Sequence, residues 1–248
     1  VREIPRLEIT SIPSGWKTES AQLSVSEKKE NFFRLLTPVV LRANELILQE
    51  KDELKRLMAL KPPPGTINHA ALMDLAWKYK VIPEDATSVT DRQLRELKTR
   101  IDIIPPSLAL AQGAEESGWG TSRFALLGNS LFGQWDFSGN GIIPEQQRAE
   151  MGNYGLAAFD TPLDAVLSYA RNLNSHGAYN RMRALRAKLR NEGRRPTGHE
   201  LASTLDQYSE RGQAYVEGLY NIMRVNRLAA VDEARLWSKP VIRIQPAE

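Results

Sequence analysis

Between Ser24 and Gly65 the chain carries one continuous helical stripe, and no other segment constrains the fold as strongly. Ser24-x-x-Glu27 is a capping-box pattern, in which each side chain takes a backbone N–H that a helix start leaves free. Apolar residues follow at Phe32, Phe33, Leu36, Val39, Val40, Ala43, Leu46, Ile47, Leu54, Leu57 and Met58, the spacing of one helix face. Lys61-Pro62-Pro63-Pro64-Gly65 ends the stripe. Pro38 lies inside it and lacks an amide hydrogen, so a kink or a division is expected there. Packing against the rest of the chain is favoured over a partner-binding face, because amphipathic helices usually face a core.

The same periodicity predicts helices over 68–79, 90–99, 107–117, 162–175, 179–191, 198–207 and 212–227. Residues 1–23 alternate apolar and polar around Ile4, Leu7, Ile9 and Ile12, with prolines between them, and read as an extended arm at a sheet edge. Val241-Ile242-Arg243-Ile244 reads as a short strand that pairs with this arm. The Gly-, Asn- and aromatic-rich segment 128–159 reads as loop with a short β-hairpin. The fold class is therefore α+β and mostly helical. Its expected parts are the arm (1–23), a helical N-terminal region packing on a catalytic domain (24–100), that domain (101–230) and a C-terminal tail (231–248).

Composition removes several classes of function. The absence of cysteine excludes disulfides, thiolate metal sites and cysteine nucleophiles. Three scattered histidines, His69, His176 and His199, argue against a histidine-based metal site. No apolar run approaches the roughly 18 residues of a membrane span. A net charge of +3 suits anionic partners without demanding nucleic acid. The cations of Arg181, Arg183, Arg186, Lys188, Arg190, Arg194 and Arg195 crowd one helix and its exit. A solvated helix face is the favoured reading over an anion-binding surface, and no aromatics interleave the run as in a nucleic-acid platform. Val1 in place of an initiator Met is expected of a mature or trimmed chain, so export is permitted.

The chemistry concentrates in 108–135, LALAQGAEESGWGTSRFALLGNSLFGQW. On a helix, Ala109, Gly113 and Glu116 share a face, and the two small residues leave a groove above it. Glu116 ends that helix just before Gly118-Trp119-Gly120. A carboxyl beside an indole is poorly solvated and its pKa rises. Such an acid can protonate a glycosidic oxygen near neutral pH. A plain surface glutamate at a helix end is the alternative.

Glu116-Ser117-Gly118-Trp119-Gly120, followed by Gly128-Asn129-Ser130-Leu131-Phe132-Gly133, resembles the signature of the bacterial glucosaminidases. These peptidoglycan hydrolases include autolysins and the flagellar rod-cap hydrolase. Tyr208-Ser209-Glu210-Arg211-Gly212-Gln213-Ala214-Tyr215 is similar to the family's paired-tyrosine segment. The helical N-terminal region and the Y-S-E-R-G run resemble the Bax-type branch. The resemblance implies a lysozyme-like domain with a cleft between a helical lobe and a small β-lobe. It implies cleavage of the β-1,4 bond between N-acetylglucosamine and N-acetylmuramic acid in peptidoglycan glycan strands, without metal or organic cofactor. Glu116 matches the catalytic acid, Tyr208 a cleft tyrosine, and Asn129 and Phe132 the cleft loop. Glu115 is expected to point away, since neighbours on a helix lie about 100° apart.

The family's second carboxylate lies on the β-lobe, and 134–159 offers Asp136, Glu145 and Glu150. Counting back from Phe159-Asp160-Thr161 favours Glu145, with Glu150 close behind. Tyr154-Gly155 occupies a place where some relatives have an acid. Substrate assistance by a 2-acetamido group removes the need for a second acid, whereas an inverting pair needs carboxyls about 6.5–9.5 Å apart. Trp119, Gln134, Trp135, Phe137, Tyr154 and Tyr215 are candidate sugar contacts, with ordinary core as the competing role for the aromatics. A lytic transglycosylase and a non-catalytic glycan-binding scaffold are the alternative functions. Work on the cell wall implies a periplasmic or envelope location and allows envelope partner proteins.

Overall fold

The computed structural model describes residues 2–144 and 154–245. Two short strands, β1 (Glu3–Ile4) and β2 (Leu7–Ile9), lead into a short helix, α1 (Trp16–Ser20). The long helix α2 (Val25–Leu60) starts as its sequence dictates. Ser24 Oγ accepts from the Glu27 amide at 3.2 Å, and the Glu27 carboxylate accepts from the Ser24 amide at 2.9 Å. Of the kink or division expected at Pro38, the division does not occur: α2 runs through it. A proline in a helix interior costs about 3 kcal/mol. Val39, Val40 and Leu41 on the following turn are all buried. Burial is worth about 2 kcal/mol for each such side chain and outweighs the cost. Lys61 in the left-handed region ends α2.

Threonine caps start α3 (Ile67–Lys78) and α4 (Asp91–Arg100). Next come α5 (Pro106–Ser117), α6 (Arg123–Gly128), β3 (Trp135–Asp136), β4 (Gly155–Leu156) and α7 (Pro162–Ser175). A 3-10 turn (Gly177–Tyr179) leads to α8 (Asn180–Asn191), α9 (Gly198–Ala202) and α10 (Gln213–Val225). A second 3-10 helix (Leu228–Glu233) precedes β5 (Arg235–Leu236) and β6 (Ile242–Ile244). Helix α9 stops well short of the expected residue 207. Ser203 Oγ donates to the Glu200 carbonyl and Thr204 Oγ1 to the Leu201 carbonyl, both at 2.7 Å, competing with further helical bonds.

The C-terminal tail pairs with the arm as its pattern predicts. β6 lies parallel to β2 with Leu7 opposite Ile242 and Ile9 opposite Ile244, while β5 lies parallel to β1. The expected hairpin is β3 antiparallel to β4, with Trp135 opposite Leu156, extended by a bridge between Ile142 and Leu156.

Helix α5 is the centre of the molecule. Residues 106–114 are all buried, with α2, α9, α10 and the second 3-10 helix packed around them. One core joins Phe32, Leu36 and Ile47 of α2 to Leu108 and Ala114 of α5, Tyr169 of α7 and Leu219 of α10. Its first turn is anchored from the C-terminal region. Asp232 accepts from the Ser107 amide and hydroxyl at 2.8 Å each and from the Gly198 amide at 3.1 Å, so one carboxylate serves the starts of α5 and α9.

The basic run on α8 divides: Arg181, Lys188, Arg190, Arg194 and Arg195 are exposed, as the charge pattern suggests, whereas two of its arginines turn inward. Arg183 and Arg186 are buried. Arg186 donates to the carbonyls of Thr99, Arg100, Asp102 and Ile103 and to Asn174 Oδ1, closing the end of α4. Arg183 donates to the carbonyls of Leu173 and His176 at 2.8 Å each, closing the end of α7. Arg190 pairs with the buried Asp102 at 3.1 Å and Arg181 with Asp206 at 2.9 Å. Arg183 and Arg186 thus satisfy helix C-termini, whose last carbonyls have no partner within the helix.

Candidate active site

The site is built on the C-terminal end of α5. The helix stops because Gly118 takes the left-handed conformation (φ 57°), and Trp119 follows it there at φ 63°. Ser117 closes the turn: its hydroxyl donates to the Gly113 carbonyl at 2.5 Å and accepts from the Gly120 amide at 2.8 Å. A left-handed tryptophan costs about 1–2 kcal/mol. Its carbonyl accepts from Trp16 Nε1 at 3.0 Å, and its ring meets Phe32 and Phe33 edge-on at 5.8 and 5.3 Å, with the Lys29 ammonium over it. The aromatic contacts of Trp119 are thus with α2, and the arm and α1 hold the turn that presents Glu116.

No groove opens above Ala109 and Gly113. A Cβ on Gly113 would stand 3.0 Å from Leu36 and 3.4 Å from Phe132, so the small residues admit α2 and the following loop to close contact. That loop, 128–133, passes over Glu116. At Gly133 (φ 61°) an added Cβ would lie 3.0 Å from Glu116 Oε2, so the backbone itself forms the near wall of the carboxyl. Gly133 thus meets two demands: a left-handed turn and room for the acid.

Asn129 and Phe132 are buried in supporting the loop. Asn129 accepts from the Ile12 amide at 3.0 Å and donates to the Phe159 and Asp160 carbonyls at 2.9 and 3.2 Å. The Phe132 ring stacks on Tyr169 with centroids 4.0 Å apart, and its carbonyl accepts from the Tyr208 hydroxyl at 3.0 Å. Buried rings offer a sugar no face, so Phe132, Tyr154 and Tyr215 form walls behind the site. Trp135 and Phe137 are 50% and 66% exposed, with Tyr154 packed edge-on against Trp135 at 5.1 Å. Gln134 Nε2 donates to Ser168 Oγ at 3.2 Å, and its Oε1 is buried with no partner among the described residues.

A tyrosine cluster surrounds Glu116. Tyr208 and Tyr215 stack nearly parallel at 5.6 Å, and Tyr179 leans on Tyr208 at 5.8 Å. Burial pushes the Glu116 carboxyl above the ordinary carboxylate range; hydrogen bonding from Tyr215 pulls it back, the charge of Glu115 raises it further, and Arg211 lowers it. Glu115 leaves the site, as a neighbour on a helix should, and pairs with Arg211 of the Y-S-E-R-G run. Gln112, one turn before Glu116, is fully buried and bonded to both Tyr169 and Tyr215. Sequence reasoning passed over it, although its place four residues before Glu116 on the same helix was a usable signal.

The candidate second acids divide. Asp136 is exposed and accepts from the Ser138 amide and hydroxyl at 3.0 Å each, and these bonds hold its pKa low. Glu145 and Glu150 lie outside the described residues.

The glucosaminidase family, described as mannosyl-glycoprotein endo-beta-N-acetylglucosaminidase, matches residues 92–228, more than half of the chain. Protein bax of Escherichia coli (strain K12) is 31% identical over 209 residues, covering 82% of this chain and 72% of that protein. No solved structure matches the chain. The matched region runs from the start of α4 through α10 and contains Glu116, the 128–133 loop and both tyrosines. The chain belongs to the glucosaminidase family, within which it is Bax-like.

Proposed function

We propose that the chain is a peptidoglycan hydrolase, an endo-β-N-acetylglucosaminidase with Glu116 as general acid. The observation that carries the reading is the Glu116 carboxyl itself: partly buried at a helix end, walled by the Gly133 backbone and raised in pKa by burial. A carboxyl of this kind keeps its proton closer to neutral pH and gives it to the departing glycosidic oxygen. The bond from the anomeric carbon to that oxygen then breaks, and positive charge spreads over the sugar ring. A β-lobe carboxylate, Glu145 or Glu150, or the substrate's own acetamide, meets that charge before water completes the hydrolysis. Tyr208 supports the reacting sugar indirectly, by holding the Phe132–Gly133 turn against the acid. Trp135 and Phe137 expose the rings that a sugar face stacks on, and Gln134 lies between them and the acid in sequence.

The substrate is the glycan strand of peptidoglycan, and the place of action is the periplasm or cell envelope, where envelope proteins are the expected restraints on such activity. Among the described residues no helix is long and apolar enough to cross a membrane.

Asp136 favours a second reading. Its carboxylate is held by Ser138. One-acid chemistry, as in a lytic transglycosylase, needs no activated water. The product end separates the two. Hydrolysis leaves reducing N-acetylglucosamine ends, and transglycosylation leaves 1,6-anhydro-muramic ends.

A further inference from the structure

A buried hydrogen-bonded chain runs from Tyr169 of α7 through Gln112 of α5, one turn before Glu116, to Tyr215 of α10. The Tyr169 hydroxyl donates to Gln112 Oε1 at 2.6 Å, and Gln112 Nε2 donates to the Tyr215 hydroxyl oxygen at 2.9 Å. Tyr169 and Gln112 are completely buried and Tyr215 nearly so. A buried phenol must place its proton on an acceptor. The Tyr169 proton uses the Gln112 carbonyl, which turns the Gln112 amide toward Tyr215. The Tyr215 oxygen receives that amide hydrogen, and its own proton is left to point elsewhere. Glu116, one turn along α5 from Gln112, is the carboxyl whose titration Tyr215 influences by hydrogen bonding.

We infer that Gln112 is a positioning residue for Glu116: by donating to the Tyr215 oxygen it aims the Tyr215 proton at the Glu116 carboxyl. The inference rests on the reading of Glu116 as the acid for its catalytic meaning, but the hydrogen-bond relay exists with or without turnover. Two consequences follow for the acid. The bond from Tyr215 restrains the carboxyl, whose Oε2 lies against the Gly133 backbone. The bond from Tyr215 also limits how far burial can raise the carboxyl, since a donated hydrogen bond favours the ionised form. The other groups acting on the titration of Glu116 and its cluster are Glu115 on its own helix, Arg211 on the Y-S-E-R-G run, and the phenols of Tyr169, Tyr179 and Tyr208.

The test is the titration of the Glu116 carboxyl by carbon NMR in full-length protein labelled at glutamate, with the resonance assigned by Glu116→Gln. Gln112→Met keeps the length of the side chain and removes both hydrogen bonds. Tyr215→Phe removes the hydroxyl and keeps the ring. Each single variant is expected to shift the Glu116 titration upward, and Gln112→Met is expected to add nothing once Tyr215 is Phe. Where turnover is measured, Gln112→Met lowers kcat about tenfold, the factor of one lost orienting hydrogen bond, with KM unchanged. A Glu116 titration unmoved by Gln112→Met, or moved equally in the Tyr215→Phe background, overturns the relay. Should Gln112→Met fail to fold, Tyr215→Phe decides alone: an upward shift of the Glu116 titration supports the relay, and an unmoved titration overturns it. Absence of glycosidase activity would remove the proposed function and leave this titration test standing.

Discussion

The Tyr208 hydroxyl donates to the Phe132 carbonyl across 3.0 Å and 76 residues of sequence. This bond ties the paired-tyrosine segment to the loop whose next residue, Gly133, walls the Glu116 carboxyl. Tyr208 therefore acts on the acid through backbone position. Replacing it with Phe keeps the stacked ring and frees the loop. The expected result is a loss of about 1 kcal/mol in stability, with kcat lowered more than KM is raised. Chemical denaturation and steady-state kinetics on purified peptidoglycan check both parts.

In the proposed mechanism Glu116 sets the alkaline limb of activity. Its pKa is raised by burial and it must be protonated to act, so activity falls as pH rises through that raised value. Arg211 lowers it and also pairs with Glu115, whose charge raises it. Arg211→Ala removes the lowering cation and leaves the Glu115 charge uncompensated. Both effects move the limb upward, by well under one unit because an exposed cation is screened. A pH profile of kcat/KM for wild type and variant measures the shift, and a downward movement contradicts the assignment.

The same sign fixes a stability prediction. A carboxyl whose folded pKa is raised favours folding below its unfolded pKa, and that stability is lost as pH rises through the folded value. Glu116→Gln carries no such loss. Its Tm relative to wild type is expected to rise as the pH goes from acid to neutral, while its activity disappears. Thermal unfolding of both proteins across that range is the check.

The buried arginines of α8 carry stability that its exposed cations do not. Arg186→Met takes one donor from four backbone carbonyls and from Asn174 Oδ1, of which the Arg100 and Asp102 carbonyls keep a second, at an expected cost of about 3 kcal/mol. Lys188, 3.9 Å from Glu192 on an exposed face, should change stability by less than about 0.5 kcal/mol when replaced by Ala. Denaturant midpoints of the two variants separate the roles.

Helix positions and the helix-ending turn at Gly118 are legible in the sequence, because capping boxes, prolines and left-handed glycines act locally. Ser24 caps as its pattern predicts, and Thr90 and Thr161 form capping boxes of the same local kind. The pairing of β6 with β2 is legible too, since both strands show their alternation. What the sequence hides is long-range. Asp232 reaches back to Ser107 over 125 residues, and Arg186 caps a helix that ends 86 residues earlier. A charge pattern on α8 cannot reveal which arginines meet carbonyls from elsewhere. The site divides in the same way. Glu116 stands out through the turn that follows it, whereas the buried roles of Asn129 and Phe132 depend on Ile12, Tyr169 and Tyr208, which lie far away in the chain. The Ala109–Gly113 face looks like a groove until Leu36 fills it.

The N-terminal helices share the core of the site. Phe32, Leu36, Val39, Val40, Ala43, Ile47, Leu54 and Leu57 are all buried in it. Removing residues 1–60 is therefore expected to leave an insoluble or unfolded remainder. A folded, active fragment in solution would show instead that the rest of the chain closes its core without α2.

The most direct measurement is mass spectrometry of the products from purified peptidoglycan, with wild type and Glu116→Gln digested side by side. Reducing N-acetylglucosamine ends from wild type, and intact glycan from the folded variant, are the predicted result. Equal release of those ends by the variant would contradict Glu116 as the acid.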